Sequence, residues 1–290
     1  MKIAAAAYPI DWFDSFADYE AKLTAWVADA AGADLLVFPE YGAMELASLG
    51  GRTVAGDLEA SLHEVAWHWP QVQALHQRLA AAHGCHILGA SGPVFEGSRP
   101  VNRAVLYGPE GIIGHQDKQI MTRFEREEWH VTGASGLRVF DTTLGQIGIL
   151  ICYDSEFPLL GRVLAQAGVE LLLVPSCTDT VAGFSRVRIG AMARALESQC
   201  VVVQAPTVGA CDWMPALDEN RGRAAIYGPP DGFWPETGII AEGPMDQPGW
   251  VFAQVDLARV GDSRRNGAVL PFAHWPESEG TRLTDTETIS

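Results

Sequence analysis

Short apolar runs alternate with longer amphipathic stretches along nearly the whole chain. Residues 2–8 (KIAAAAY) read as a strand, and 15–31 as a helix with Leu23, Trp26, Val27 and Ala30 on one face. Residues 35–38 read as a buried strand stopped by Pro39. Residues 70–83 predict a helix closed by Gly84, which suits the left-handed position just past a helix end. Strands are expected at 86–90, 103–107, 112–117, 137–141 and 146–152. A helix at 157–167 has Pro158 in its first turn and Gly168 after it. A strand at 170–175, a helix at 186–199 and strands at 200–205, 224–227, 238–242 and 251–256 follow. From 263 onward the pattern has few regular features.

Hairpin-length turns at 108–111 and 142–145 make the sheet mixed, not purely parallel. No Gly/Ser/Pro-rich linker, charge block or internal repeat divides the chain. The expected fold is one α/β domain over 1–270 with two stacked sheets and helices outside, followed by a tail at 271–290.

Composition changes this picture little. Hydrophobic content of 48% with 19% charged residues fits a globular chain with a large core. No stretch approaches the roughly 20 apolar residues of a membrane helix, and MKIAAAAYPI turns acidic too soon for a signal peptide. The expectation is a soluble, cytoplasmic protein. A net charge of −16 argues against nucleic acid, whose phosphates call for clustered Lys and Arg. Five cysteines without a C-x-x-C pair argue against a disulfide framework or zinc ribbon. Three lysines stand against seventeen arginines, so Lys118 is either chance or a position that needs a compact ammonium.

Three strand ends carry candidate chemistry. In QIGILICYDSEFPLL (146–160) an apolar strand delivers Cys152 to a strand-to-helix turn, with Asp154 or Ser155 available to cap the helix. Such a turn lifts a side chain to the rim of a sheet, and a helix N-terminus favours thiolate and oxyanion. The plain alternative is a core cysteine. Glu40 closes LLVFPEYG, either as a solvated turn residue or as a carboxylate placed to take a thiol proton. Lys118 ends the strand at 112–117, either exposed or as a fixed cation beside a nucleophile.

F-P-E at 38–40, K-x₃-T-x₂-E-R-x₂-W-x₃-G at 118–133 and C-Y-D-x-x-F-P at 152–158 occur in that order. V-P at 174–175 and R-A-x-E at 194–197 follow. Together they resemble the nitrilase superfamily of carbon–nitrogen hydrolases, from Met1 to about Val269. The resemblance implies a four-layer α-β-β-α sandwich with two mixed sheets, whose helix layers usually pair across a dimer, in a homodimer or a higher homo-oligomer. It also implies Glu40 as general base, Lys118 as stabilising cation, Cys152 as thioester-forming nucleophile and Glu125 as an auxiliary glutamate. Tyr153 would add a backbone N–H to the oxyanion site, and Ser176, Cys177 and Thr178 would contact substrate. No metal or organic cofactor is implied. C-Y-D is similar to the amidase-type branches, whereas true nitrilases commonly carry C-W-E. The run at 176–180 and R-V-R at 186–188 resemble a branch often fused to an acetyltransferase domain, which is not expected within these residues. Met121 departs from the Pro that many relatives carry.

The expected activity is therefore hydrolysis of a linear small-molecule amide to a carboxylic acid and ammonia. Nitrile or N-carbamoyl hydrolysis, acyl transfer to an amine, and a catalytically silent binding homologue are the alternatives. The pocket is expected from loops 41–56, 120–132, 176–188 and 209–223, with Trp213 and Phe233 as further candidates. Arg186, Arg188 and Arg221 either bind a substrate carboxylate or form structural ion pairs. His63 and His68 are five apart and so do not match H-E-x-x-H. His83, Cys85 and His86 lack a second ligand cluster. Ser91 and Ser135 lack the last glycine of a nucleophile elbow.

Overall fold

The computed structural model describes residues 1–280 of the chain. A first sheet contains β1 (Lys2–Pro9), β2 (Leu35–Val37), β3 (His86–Leu88), β4 (Gly92–Phe95), β5 (Pro100–Gly108) and β6 (Gly111–Asp117). A second contains β7 (Val139–Thr142), β8 (Gly145–Ile149), β9 (Leu171–Ser176), β10 (Val201–Ala210), β11 (Glu219–Asn220), β12 (Ala225–Tyr227) and β13 (Ile239–Glu242). β14 (Gly249–Gln254) returns to pair antiparallel with β1. β1, β2 and β3 run parallel, as do β8, β9 and β10, with antiparallel hairpins at the edges. The halves touch where Tyr8 and Pro9 pair with Thr207 and Val208.

Side-chain alternation decides what each face of the first sheet meets. Ile3, Ala5, Ala7, Leu35, Val37, Leu88 and Leu106 share a core with the second sheet. Ala4, Ala6, Tyr8, Leu36, Phe38, Ile87 and Tyr107 share another with α1 (Phe16–Asp29) and α3 (Leu58–His83). Leu164 of α5 (Pro158–Gln166) and Val187, Ala191 and Ala195 of α6 (Val181–Ser198) join the first core. Helices therefore pack against both halves of the curled sheet. The alanines of β1 are poor strand formers by propensity, yet buried on both faces they let two layers approach closely.

Several elements differ from expectation. α3 begins at Leu58, not at residue 70, because Asp57 caps it through the N–H groups of Glu59 and Ala60. Leu62, Val65 and Trp69 continue the buried face of Val72, Leu75 and Leu79 across Pro70, so packing overrides the helix breaker. Residues expected as a loop after 41 form a buried 3₁₀ turn, Gly42–Gly50, and the short α2 (Gly51–Ala55). β4 was not anticipated. α6 starts at Val181, capped by Thr180, instead of at 186. α7 (Ala258–Asn266) and two short helices, Pro271–His274 and Pro276–Glu279, occupy the stretch expected to be irregular. Residues 281–290 of the expected tail lie outside the described residues. Among the described residues no helix is long and apolar enough to cross a membrane.

Candidate active site

The apolar run of β8 continues through Leu150 and Ile151 to Cys152, whose φ of 49° lies in the left-handed region that a side chain disfavours. Such strain persists only where the surroundings over-determine it. Here they do. The Ser155 hydroxyl donates to the Cys152 carbonyl at 2.6 Å, and Arg194 of α6 donates to the Ser155 carbonyl at 3.0 Å. Gly190 allows α6 this close, since a Cβ there would stand 2.8 Å from the Ser155 oxygen. R-A-x-E thus buttresses the turn, with Arg194 ion-paired to Glu197.

The expected helix cap is corrected. A 3₁₀ turn, Cys152–Glu156, separates Cys152 from α5, and Phe157 precedes that helix without a side-chain cap. Asp154 instead accepts from the backbone N–H groups of Gln119 and Ile120, at 3.1 and 2.8 Å. It ties the chain after Lys118 to the cysteine turn. Helix-dipole support does not dominate the thiol: burial, then Glu40, pushes Cys152 well above its ordinary pKa, against the opposing pull of Lys118.

Glu40 follows β2 through Phe38 and Pro39. The Tyr41 N–H is held by the Ser91 hydroxyl at 2.9 Å, and the Ser91 N–H donates to the Pro39 carbonyl at 3.0 Å. Lys118 leaves β6 with its N–H on the Asn102 carbonyl at 2.9 Å. Glu125 sits in α4 (Arg123–Glu127), where it closes a capping box with Thr122. Capping therefore fixes the carboxylate's direction. Lys118 Nζ lies 2.7 Å from Glu40 Oε1 and 2.7 Å from Glu125 Oε2. Tyr41 donates its hydroxyl to Glu125 at 2.8 Å, and Asn102 its amide to Glu40 at 2.9 Å. The thiol of Cys152 donates to the Cys177 carbonyl at 3.7 Å and lies within the field of Glu40.

All three charged side chains are almost wholly excluded from water. Burial pushes Glu40 up to about 7; Lys118 opposes the rise and Glu125 adds to it. Burial would lower Lys118, but Glu125 and Glu40 overcome it and hold the ammonium well above its usual range. Glu125 is also buried, yet Lys118, Thr122 and Tyr41 keep it below its ordinary value. The two carboxylates are thereby split: Glu125 stays ionised, while Glu40 can gain and lose a proton near neutrality.

These groups open on a pocket of about 420 Å³. Tyr153, Cys177 and Thr178 line it together with Cys152, Glu40, Lys118 and Glu125. Ser176 does not, because it is the buried last residue of β9. Of the loop beginning at 41, Tyr41 reaches the lining; the other three loops contribute as expected, through Phe124, Trp129, Asp179 and Ala216 among others. Trp213 is not in the lining and packs edge-on against Trp12, and Phe233 packs against the core. Arg188 faces Glu242 and Arg221 pairs with Asp246, so only Arg186 of the three arginines lines the pocket. Sequence reasoning missed Asn102 and the hydrogen bond of Tyr41 to Glu125, and it gave Asp154 another role, as a helix cap. For the first, an Asn beside Arg103 in an otherwise apolar strand was the available signal. Among the described residues no group of three His, Cys, Asp or Glu could hold a metal ion.

The carbon–nitrogen hydrolase family model matches residues 2–265. The chain belongs to that family. It is a member of the nitrilase superfamily, in agreement with the motifs at 38–40, 118–133 and 152–158. Probable hydrolase YhcX of Bacillus subtilis is 31% identical over 93% of the chain, which spans about half (52%) of that relative's length. Omega-amidase NIT2 of Danio rerio is 26% identical over 63% of the chain and 65% of its own. Among solved structures, the carbon–nitrogen hydrolase of Helicobacter pylori superposes with a TM-score of 0.75 at 17% identity, over 98% of this chain and 96% of that one. The mixed α/β fold is thus that of this carbon–nitrogen hydrolase family.

Proposed function

We propose that this hydrolase cleaves a linear small-molecule amide through a thioester on Cys152, releasing ammonia and then a carboxylic acid. One observation carries the reading: Cys152, Glu40 and Lys118 come from three separate segments to line one pocket, with Glu40 titrating near neutrality. The raised thiol pKa keeps Cys152 neutral at rest, since a thiolate beside buried Glu40 would be repelled. Proton transfer to Glu40 therefore accompanies attack of Sγ on the carbonyl carbon. Negative charge then moves to the carbonyl oxygen, where the Lys118 ammonium and the Tyr153 N–H stabilise it. Glu40 returns its proton to the leaving nitrogen, ammonia departs, and Glu40 takes a proton from the water that opens the thioester. Glu125 holds the ammonium in place.

The pocket lining also bears on the substrate's charge. Asp179, Asp218 and Glu219 are exposed at its edge, whereas Arg123 pairs with Glu127 at 2.7 Å and Arg186 faces Glu156 at 3.7 Å. This balance favours a neutral or cationic amide over an anionic one. The test is ammonia release from matched amide, nitrile and N-carbamoyl panels with wild type and Cys152→Ala. Activity surviving in Cys152→Ala refutes the mechanism. Hydroxylamine trapping separates hydrolysis from acyl transfer. Absence of any thioester by intact mass with every acyl donor favours the silent-homologue reading.

We also propose that two copies pair through α5 and α6. Leu159 and Val163 on one helix, and Ile189 and Leu196 on the other, expose large apolar side chains at helical spacing. Ile189→Glu should convert a dimer to a monomer in light scattering.

A further inference from the structure

We propose that Asn102 is the positioning residue that orients Glu40 and holds it ionised, in place of a better-packed apolar side chain. Asn102 sits within β5 and is wholly buried. Its amide nitrogen donates to Glu40 Oε1 at 2.9 Å, and its own carbonyl oxygen Oδ1 has no hydrogen-bond partner. A buried polar atom without a partner opposes folding. Stability alone would place Leu or Val there, as at neighbouring positions of the strand. What the amide supplies is a second donor on the oxygen that already accepts from Lys118. Both donors converge on Oε1, which fixes the carboxylate plane and leaves the other oxygen without either donor. The same residue's backbone carbonyl receives the Lys118 N–H, so one residue of a central strand registers both base and cation.

The charged and titratable groups around Glu40 are Lys118 from the end of β6, Glu125 from α4, Cys152 from its turn, Cys177 after β9, and the neighbouring Tyr41. Among them Lys118 favours the carboxylate most strongly, and the Cys152 thiol adds to its pull. A neutral donor adds to that pull without adding charge, and its removal leaves burial and Glu125 less opposed.

The proposal rests on Glu40 being the general base, and the experiment separates the two. Wild type, Asn102→Leu and Asn102→Ala are compared by kcat/KM against pH, by the pH dependence of Cys152 alkylation with iodoacetamide, and by thermal unfolding. With Glu40 raised to about 7, wild type should show an acid limb near neutrality. In both variants it should move to higher pH by about one unit, with kcat lowered more than about tenfold, since loss of a hydrogen bond to a charged group is worth about that much. Asn102→Leu should unfold at the same or a higher temperature. A limb that stays in place, or activity that falls only in step with melting temperature, overturns the proposal. If wild type itself shows no acid limb, the base assignment of Glu40 fails instead.

Discussion

Two of the three lysines in this chain are held against a buried glutamate, and their surroundings differ. Lys22 lies 2.7 Å from Glu45 and 2.7 Å from Asp11, donates to the Pro9 carbonyl and sits 4.1 Å over the Tyr8 ring. Tyr8 completes the cluster by donating to Glu45 at 2.6 Å. Lys118 also faces two carboxylates at hydrogen-bonding distance. Burial raises both Glu45 and Glu40 from their ordinary values. The difference lies in what else is present. The Lys22 cluster has every group paired, contains no thiol and is not in the pocket lining. The Lys118 cluster contains a cysteine in a disfavoured backbone conformation and opens on the pocket. A buried lysine–glutamate pair therefore marks a fold constraint, and a nucleophile with access for substrate makes it a site.

Cys152→Ala should separate the two clusters most completely. Amide turnover should fall by about 10⁴-fold or more with little change in melting temperature, because the proposed mechanism makes the thiol the reacting group, while alanine keeps the Cβ and so leaves the backbone strain at this position as it was. Steady-state kinetics beside calorimetry checks this.

Removing each ammonium comes next. Lys118→Met and Lys22→Met should each destabilise the fold by roughly 3–5 kcal/mol, since each leaves a buried carboxylate without its cation. Only Lys118→Met should also lose about 10²–10³-fold in kcat, by loss of oxyanion stabilisation. Equal loss of activity per folded molecule in Lys22→Met would remove the distinction.

The pH dependence of stability gives a smaller effect with a definite sign. Glu40 has a folded pKa of about 7 against an ordinary 4.5. Between these values the folded protein keeps a proton that the unfolded chain has released, so this carboxyl opposes folding increasingly as pH rises through that window. Its share is roughly 3 kcal/mol, fully felt above pH 7 and absent below about 4.5. Glu40→Gln should be inactive yet at least as stable as wild type at pH 8, with a flatter stability profile in denaturant titrations. The smallest change is expected at the rim: Asp218→Asn with Glu219→Gln should raise KM for an ammonium-bearing amide about two- to three-fold, an effect that salt erases.

Much of this was legible along the chain. Glu40, Lys118 and Cys152 each end an apolar strand, and position on a strand is a local property that periodicity reports. Glu125 was readable only through its motif, although the Thr122–Glu125 spacing of its capping box is also local. Scarcity of lysine, by contrast, pointed equally to Lys22 and so could not identify a site. The start of α3 was misplaced because Pro70 looks like a helix start, and only the burial of Leu62, Val65 and Trp69 shows that it is interior.

The sequence by itself carried the fold class, the family motifs and four candidate site residues: three of them end strands, a property set by neighbours in the chain, and Glu125 came through the motif resemblance. Only tertiary structure decided which lysine sits by a thiol, that Asn102 reaches Glu40 from another strand, and that Asp154 anchors the segment after Lys118 instead of capping α5. It alone decided how the two glutamates divide their proton affinities. That division arises from burial and from charges brought together across long sequence separations, and neither is encoded in any local pattern.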